Sequence, residues 1–160
     1  MNVRIDPIAP SDRRWVLGVF RGWGADFVIS RGRKVYSTEL DGFVAREESG
    51  ERIGLVTHEV IGDECEIITL DAFTKYRGVG TKLIEAVIGV ARGAGVKRLW
   101  LITTNDNVDA IRFYQKRGFT IAAVHVDAIK KSRELKPSIP LIGHYGIPIR
   151  DEIEFEMLLG

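Results

Sequence analysis

The run KYRGVGTKL, residues 75–83, separates a strand-like stretch, CEIITLDAF (65–73), from a helix-like one, LIEAVIGVAR (83–92). A helix that begins at this junction presents free backbone N–H groups and the positive end of its dipole, and both attract anions. Gly78 and Gly80 have no Cβ, so an anion can approach the backbone closely. Three cations lie in the same run: Lys75, Arg77 and Lys82. The run therefore predicts an anion-binding site, with a glycine turn among solvated cations as the alternative.

Two nucleotide-binding motifs do not fit this run. A Walker A loop needs Lys directly after its last glycine, but Gly80 is followed by Thr81 and only then by Lys82. A dinucleotide fingerprint needs a third glycine at position 83, which is Leu83. Neither ATP nor NAD is favoured as the ligand.

The composition predicts one domain, residues 1–160, with no general affinity for polyanions. Lys and Arg number 23 against 22 Asp and Glu, so the net charge is +1 and no nucleic-acid partner is expected. The first residues lack the apolar core of a signal peptide, and no stretch approaches the roughly 20 apolar residues of a membrane span. A single cysteine, Cys65, fits a reducing compartment. We therefore expect a cytoplasmic protein without a membrane partner, and Cys65 as a core residue.

The spacing of apolar residues predicts a mixed α/β order. Ser11 can cap a helix whose apolar residues form one stripe: Trp15, Val16, Val19, Phe20 and Trp23. The later predicted elements, in order, are a hairpin within 42–60, a strand ending near Ala72, a helix, a strand at 97–104, a helix at 107–117, a strand at 119–126, a helix near 128–136 and a strand at 152–158. Antiparallel strands are thus followed by a β-α-β unit that contains the glycine run.

A second motif lies thirty residues beyond the first. NVDAIRFYQKRGF, residues 107–119, resembles the signature N-x-x-A-x-x-F-Y-x-K-x-G-F of the GNAT superfamily of N-acetyltransferases, and all seven fixed positions match. The glycine run resembles the pyrophosphate loop of the same superfamily, R/Q-x-x-G-x-G/A. Two departures are visible, since Lys75 stands where Arg or Gln is usual and Tyr76 where many members have glycine. The resemblance covers roughly residues 42–126.

The resemblance implies a GNAT-like acyl-CoA N-acyltransferase fold, a mixed and mostly antiparallel sheet that splays open at the cofactor site and is flanked by helices. It implies acetyl-CoA as cosubstrate and direct transfer of the acetyl group to an amine, with no metal. Of the two kinds of acceptor, a small-molecule amine is slightly favoured over a protein amine. The alternative is a non-catalytic acyl-CoA-binding or regulatory module.

The resemblance also implies roles for individual residues. Backbone N–H groups of the glycine run would hold the pyrophosphate, with the run contributing Lys75, Arg77, Gly78, Val79, Gly80, Thr81 and Lys82. The backbone N–H of Leu70 would bind the thioester oxygen as it becomes an oxyanion. Asn107 would bond the pantetheine arm, although it could serve only as a helix N-cap. Tyr114 would protonate the departing thiolate, although it could be only a core aromatic.

The chemistry of the reaction supports an acid and a base. A phenol with a pKa near 10 stays protonated at neutral pH and can donate to a thiolate, which favours Tyr114. The acceptor amine must lose a proton, and Glu66 is the first candidate for the base. Its even spacing from Leu70 places both on one side of an unbulged strand, and Glu64 shares that parity as second candidate. A bulge would upset this argument, and a solvated strand face explains both glutamates.

The last third of the chain holds the less specific signals. Residues 127–150 are basic and contain three prolines, which predicts a lid or an acceptor-pocket wall, with a homodimer contact as the alternative. Three glutamates alternate on the final strand and predict an exposed polar face that could also attract a cationic acceptor: Glu152, Glu154 and Glu156. The histidines at 58, 125 and 144 have no metal-ligand spacing, so we expect structural roles for them.

Overall fold

The computed structural model describes residues 2–73 and 78–160. Its strands are β1 (Arg4–Pro7), β2 (Phe27–Ser30), β3 (Arg33–Tyr36), β4 (Asp41–Arg46), β5 (Arg52–Ile61), β6 (Glu64–Ala72), β7 (Arg98–Thr104), β8 (Thr120–His125) and β9 (Glu152–Leu158). Its helices are α1 (Arg13–Gly22), α2 (Val79–Gly93), α3 (Val108–Lys116) and α4 (Ala128–Leu135). Within these residues, no helix is both long and apolar enough to cross a bilayer.

Seven of the strands form one sheet in the order β1-β4-β5-β6-β7-β9-β8, and β2 pairs with β3 in a separate ribbon. Every neighbouring pair in the large sheet is antiparallel except β6 and β7, which run parallel on either side of the crossover helix α2. The predicted mixed, mostly antiparallel sheet flanked by helices is confirmed.

The parallel pair stops halfway along its strands. Only Glu64–Ile67 of β6 pair with Arg98–Leu101 of β7. Beyond that point β6 pairs with β5 alone, and residues 102–104 of β7 pair with β9 alone. A gap therefore opens between β6 and β7, where alternate backbone N–H and C=O groups on the facing edges lack a strand partner. This is the splayed sheet that the resemblance implies.

A β-bulge lies in β6 just where the gap begins. Thr57 of β5 is opposite Thr69 and His58 is opposite Ile67, so Ile68 is the extra residue. Cys65 and Ile67 before the bulge and Leu70 after it all pack in the core beneath α2. The prediction that Glu66 and Leu70 lie on one side of the strand is therefore wrong, because the bulge reverses the alternation of side chains between the two faces. Asp71, rather than Leu70, shares the face of Glu66.

Two apolar cores cover the two faces of the sheet. The larger lies beneath α2 and α3 and contains Leu83, Val87, Leu99 and Phe155, each fully buried. The smaller lies beneath α1 and contains Val16 and Phe20 together with sheet residues from β4 and β5. These residues account for the apolar stripe predicted for α1, except for Trp23 at its end, which is 38% exposed. Cys65 is buried as expected, and burial raises the pKa of its thiol to about 11.

A buried carboxylate fastens the start of α1 to the sheet. Asp12 is fully buried, and its carboxylate accepts hydrogen bonds from the Ala9 N–H at 2.8 Å, from Arg46 of β4 at 2.6 Å and from Arg52 of β5 at 3.0 Å. Both arginines are partly buried. The cluster thus orients α1 and the residues that follow it toward the gap.

Replacing Asp12 with alanine should destabilise the fold. Asp12→Ala leaves two partly buried guanidinium groups without their carboxylate, a change that typically costs about 3 kcal/mol of unfolding free energy. Urea denaturation followed by circular dichroism measures the loss. The control is Asp41→Ala, because Asp41 is 91% exposed and only 4.0 Å from Arg13, so its effect should stay within about 0.5 kcal/mol. Equal stability of the two variants would contradict the stabilising role of Asp12.

Candidate active site

The gap between β6 and β7 opens into a cavity of about 540 Å³, here called the gap cavity. Thr69, Leu70 and Asp71 line it from β6, and residues 102–104 line it from β7. Its other walls come from Trp23, from β2 and from α4 with the loop that follows α4. Segment 127–150 therefore forms part of the wall of this cavity. That the cavity holds the acceptor stays a prediction.

The loop after α4 is fixed by hydrogen bonds on the inner side of the cavity. The Arg133 guanidinium donates to the carbonyl oxygens of Pro140 at 2.8 Å and Ile149 at 2.7 Å. The buried Asp106 carboxylate accepts from the Thr104 hydroxyl at 2.5 Å and from the His144 N–H at 3.0 Å. These hydrogen bonds hold the loop in place as one wall of the gap cavity.

A second cavity, of about 660 Å³, lies at the start of α2 and is here called the helix cavity. Gly78 is the N-cap of α2 and has a left-handed backbone with φ of 63°, which glycine adopts most easily. The first helical hydrogen bond runs from the Lys82 N–H to the Gly78 carbonyl at 3.0 Å. The N–H groups of Val79, Gly80 and Thr81 have no acceptor within the helix and lie at this cavity.

Gly80 allows α2 and α3 to approach each other. A Cβ at position 80 would come within 3.0 Å of the Phe113 ring. The ring in turn carries the guanidinium of Arg117 at 3.6 Å from its centroid. Arg117 also donates to the Thr81 hydroxyl at 2.8 Å, so the glycine turn and α3 are tied together.

Three cations of α3 and its C-cap line the helix cavity. No role was predicted for them from the sequence. They are Arg112, Lys116 and Arg117, and Asp109 is the carboxylate among the lining residues. The signal was present, because Arg112 and Lys116 are four residues apart and so share a helix face. Of the cations predicted in the glycine run, Lys82 is exposed and outside the lining. Lys75 and Arg77 lie outside the described residues.

Leu70 and Tyr114 meet in a small apolar pocket of about 250 Å³ between the two cavities. Tyr114 is 8% exposed and packs edge-on against Phe113 and Phe119 at centroid distances of 5.3 and 5.6 Å. Burial raises the pKa of its hydroxyl well above the ordinary value, so the group stays protonated at neutral pH. Within residues 2–73 and 78–160 the hydroxyl has no hydrogen-bond partner. Leu70 lines both this pocket and the gap cavity.

Asn107 is the N-cap of α3 and lies at the gap cavity. Its side-chain oxygen accepts a hydrogen bond from the Ala110 N–H at 3.3 Å. The cap role is thus present, and the side-chain amide nitrogen remains for a ligand in the cavity that Asn107 lines.

The two predicted base candidates differ in their surroundings. Glu66 is 5% exposed, accepts a hydrogen bond from the Ser30 hydroxyl at 2.5 Å and lies 3.6 Å from the Arg33 guanidinium. Burial outweighs both partners and raises the pKa of Glu66 to about 7. Glu64 is half exposed and ion-paired with Arg98 at 2.9 Å. Both line a separate cavity of about 320 Å³ on the face opposite Tyr114, and this cavity shares no lining residue with the gap cavity.

The exposed polar face predicted for β9 is wrong for its first glutamate. Glu152 is 1% exposed, lines the gap cavity and accepts a hydrogen bond from the Arg31 guanidinium at 2.8 Å. Glu154 and Glu156 are ion-paired with Arg98 rather than free. Glu154 also lies 2.9 Å from the His125 ring nitrogen. Each glutamate thus has a partner that comes from a distant part of the chain.

Two further charged residues line the gap cavity and were missed. Asp71 is partly buried, and burial raises the pKa of its carboxyl. Lys136, at the end of α4, is 7% exposed. The bulge and the packing of α4 place them here, and neither is visible in the spacing of the sequence. In the described parts of the chain, no group of His, Cys, Asp and Glu is arranged to hold a metal ion.

Comparisons with known proteins agree with this architecture. Residues 15–119 match the model of the acetyltransferase (GNAT) family. A curated relative, the uncharacterized protein YdhI of Bacillus subtilis, is 52% identical over 86% of each chain. Two solved structures each have a TM-score of 0.73: an IAA acetyltransferase from Bacillus cereus, 25% identical over 99% of this chain and 100% of its own, and a GNAT family acetyltransferase from Elizabethkingia anophelis with acetyl-CoA bound, 22% identical over 99% of each.

The sequence motif, the sheet that opens beside α2 and the family match coincide on the same residues. The match spans most of the chain, from the first helix to the end of the second motif. The chain belongs to the GNAT family of acetyltransferases.

Proposed function

We propose that residues 1–160 form one domain that transfers an acetyl group from acetyl-CoA directly to the amine of a small-molecule acceptor. The observation that carries the proposal is the gap between β6 and β7. It joins a cavity lined by helix N–H groups and cations to a second, differently charged cavity on the other face. Family membership supports acyl transfer in general, and the structural neighbour from Elizabethkingia anophelis holds acetyl-CoA.

The helix cavity has the chemistry that a pyrophosphate needs. Free N–H groups at the start of α2 and the helix dipole favour a negative charge there. Arg112, Lys116 and Arg117 add positive charge on the opposite wall. The proposed pyrophosphate ligands are therefore the N–H groups of residues 78–81 with these three side chains, since the Lys82 N–H is bonded to the Gly78 carbonyl. Lys75 and Arg77 stay in the proposal on their sequence position alone.

The apolar pocket between the cavities is the proposed place of the thioester. An N–H of β6 at Leu70 would stabilise the oxygen of the tetrahedral intermediate, because the sheet edge is unpaired there. Asn107 would bond the pantetheine arm. The amine nitrogen bonds to the carbonyl carbon, the C–S bond breaks, and Tyr114 gives its proton to the departing sulfur.

Glu66 is the proposed acceptor of the proton that the amine loses. A pKa of about 7 suits a base that works near neutral pH. Glu66 and Leu70 are opposite Glu59 and Val56, which lie three residues apart on β5. About 10 Å therefore separates them along the strand, so the proton would pass through ordered water or the Ser30 hydroxyl. Glu64 is the second candidate, and its ion pair with Arg98 makes it less available. Acid and base would then act from opposite faces of the sheet.

The rival proposal is an acyl-CoA-binding or regulatory module without turnover. The two are distinguished by adding acetyl-CoA to the protein and measuring both thermal stabilisation and thiol release with a panel of amines. Thiol release that requires both protein and amine, with mass spectrometry showing the acetylated amine, is the expected result. Stabilisation without release from any amine would favour the binding module, and absence of binding would exclude both.

Replacing Gly80 with valine should weaken CoA binding. The added side chain would displace the Phe113 ring, which carries Arg117 in the helix cavity. We expect the dissociation constant of CoA, measured by calorimetry, to rise at least about tenfold. The control is Gly89→Val in the same helix, because a Cβ at Gly89 meets no atom within 4 Å. Unchanged affinity in a folded Gly80→Val protein would refute the pyrophosphate site.

Replacing Tyr114 with phenylalanine should slow turnover without loss of CoA binding. The variant keeps the buried ring and removes a hydroxyl that has no hydrogen-bond partner in the described residues, so stability should change little. Loss of the proton donor predicts a fall in kcat of about 10²- to 10⁴-fold. Tyr145→Phe is the control, because Tyr145 lines the helix cavity and its hydroxyl bonds Asp109 instead. Wild-type turnover by Tyr114→Phe would remove the general-acid assignment.

Glu66 should give the pH profile an inflection near pH 7. A base must be deprotonated to act, so kcat/KM of the wild type should rise as pH increases through about 7. Glu66→Gln should be slower and should lack this inflection, leaving only the titration of the acceptor amine. Glu64→Gln serves as the matched control and should keep it. Loss of the inflection in Glu64→Gln instead would transfer the role to that residue.

A further inference from the structure

The gap cavity contains two opposite charges that have no counter-charge in the described chain. They are the carboxylate of Asp71 and the ammonium of Lys136. Every other carboxylate placed at or behind this cavity has a partner: Glu152 has Arg31, and Asp106 has Thr104 and His144. The two unpaired charges are therefore available to a bound molecule.

Lys136 is the charge that most needs a partner, because its side chain is almost fully buried. Its Nζ donates to the Phe27 carbonyl at 3.0 Å and lies 5.6 Å from the centroid of the Phe27 ring. In residues 2–73 and 78–160, no carboxylate lies within ion-pair distance of it. An ammonium has three donors, so two remain for a ligand in the cavity that Lys136 lines. A buried charge is costly unless it is paired, which makes an anionic group the natural ligand.

Asp71 lines the same cavity. It follows Leu70 directly and, because of the bulge, points to the face opposite Leu70, where the acceptor would enter. Within the described chain it has neither a hydrogen bond nor an ion pair. A carboxylate in this place attracts an ammonium to the position beside the proposed thioester.

We propose that the acceptor is an amino acid, with its ammonium group at Asp71 and its carboxylate at Lys136. This inference rests on the proposed acetyl transfer. A simple alkylamine would leave Lys136 unpaired, and a diamine would bring a second positive charge against it. A protein N-terminus has lost its α-carboxylate to the first peptide bond, and only an acidic first residue would supply another. Only an amine with a nearby anion satisfies both charges.

The decisive measurement compares each amino acid with its decarboxylated and its amidated counterpart. The panel contains α-, β- and ω-amino acids, because the two charges in the cavity must be spanned. We expect at least one amino acid to have a kcat/KM about 30-fold or more above that of its two counterparts. Amines turned over as fast as the matching amino acids would overturn the inference and leave acetyl transfer intact. No thiol release with any amine would overturn both.

Variants at the two charges give a second, independent outcome. Lys136→Met keeps most of the length of the side chain and removes its charge. It should lower kcat/KM for the best amino acid about 30-fold or more, while leaving that of its decarboxylated counterpart unchanged or improved. Lys130→Met, exposed on the same helix, is the control and should change neither. Asp71→Asn should raise KM for both compounds, since each carries the ammonium.

Binding of the amino acid also supplies a test that does not depend on turnover. With CoA present, calorimetry should detect the amino acid with the wild type and Lys130→Met, and at least tenfold weaker binding with Lys136→Met. Equal binding by Lys136→Met would overturn the role of Lys136, provided that its melting curve shows a folded protein.

Discussion

The site depends on the point at which β6 and β7 stop pairing. Hydrogen bonds join the two strands only as far as Ile67 and Leu101, and each strand is then held by its other neighbour. Because β5 and β9 keep the separated strands in place, the gap is maintained by the sheet itself rather than by a ligand. It offers unpaired backbone groups in the middle of the fold, where a thioester can reach both faces of the sheet.

The bulge in β6 determines which side chains point to each face of the sheet. Without the extra residue at Ile68, Leu70 would turn toward Glu66 and Asp71 would turn into the core beneath α2. With it, Leu70 packs beside Tyr114 and Asp71 enters the gap cavity. One irregular residue therefore separates an apolar face beside Tyr114 from a charged face in the gap cavity. In the proposed reaction the first face holds the proton donor and the second holds the acceptor. In the proposed reaction the amine and the departing sulfur bond to different corners of one tetrahedral carbon, so groups on both faces of the sheet can reach them.

Local patterns in the sequence predicted the elements that carry the helix cavity. The periodicity of α2, the glycines before it and the motif from Asn107 to Phe119 all depend on residues close together in the chain, so α2 and α3 could be predicted from local spacing. The contact between them at Gly80 and Phe113 was not predicted. The bulge could not be predicted, because the alternation of side chains indicates a strand but does not show where an extra residue interrupts its pairing. The burial of Glu152 did not follow either, since its partner Arg31 is 121 residues away. In the sequence, Lys136 is one of several lysines in a basic segment. Its burial depends on the packing of α4 against β2, which residue spacing does not show.

The electrostatics of the two cavities argue for different kinds of ligand. The helix cavity has three cations, with one carboxylate among the lining residues, so it suits a multiply charged phosphate group whose binding weakens with salt. The gap cavity holds one unpaired charge of each sign, and its lysine is nearly enclosed, so its interactions are less screened and more selective. A neutral-overall molecule that carries both charges loses little on entering such a cavity, because each buried group gains a partner in the same event. In the proposed function, the burial of Lys136 would make selection of the acceptor depend on matching charges as well as on shape.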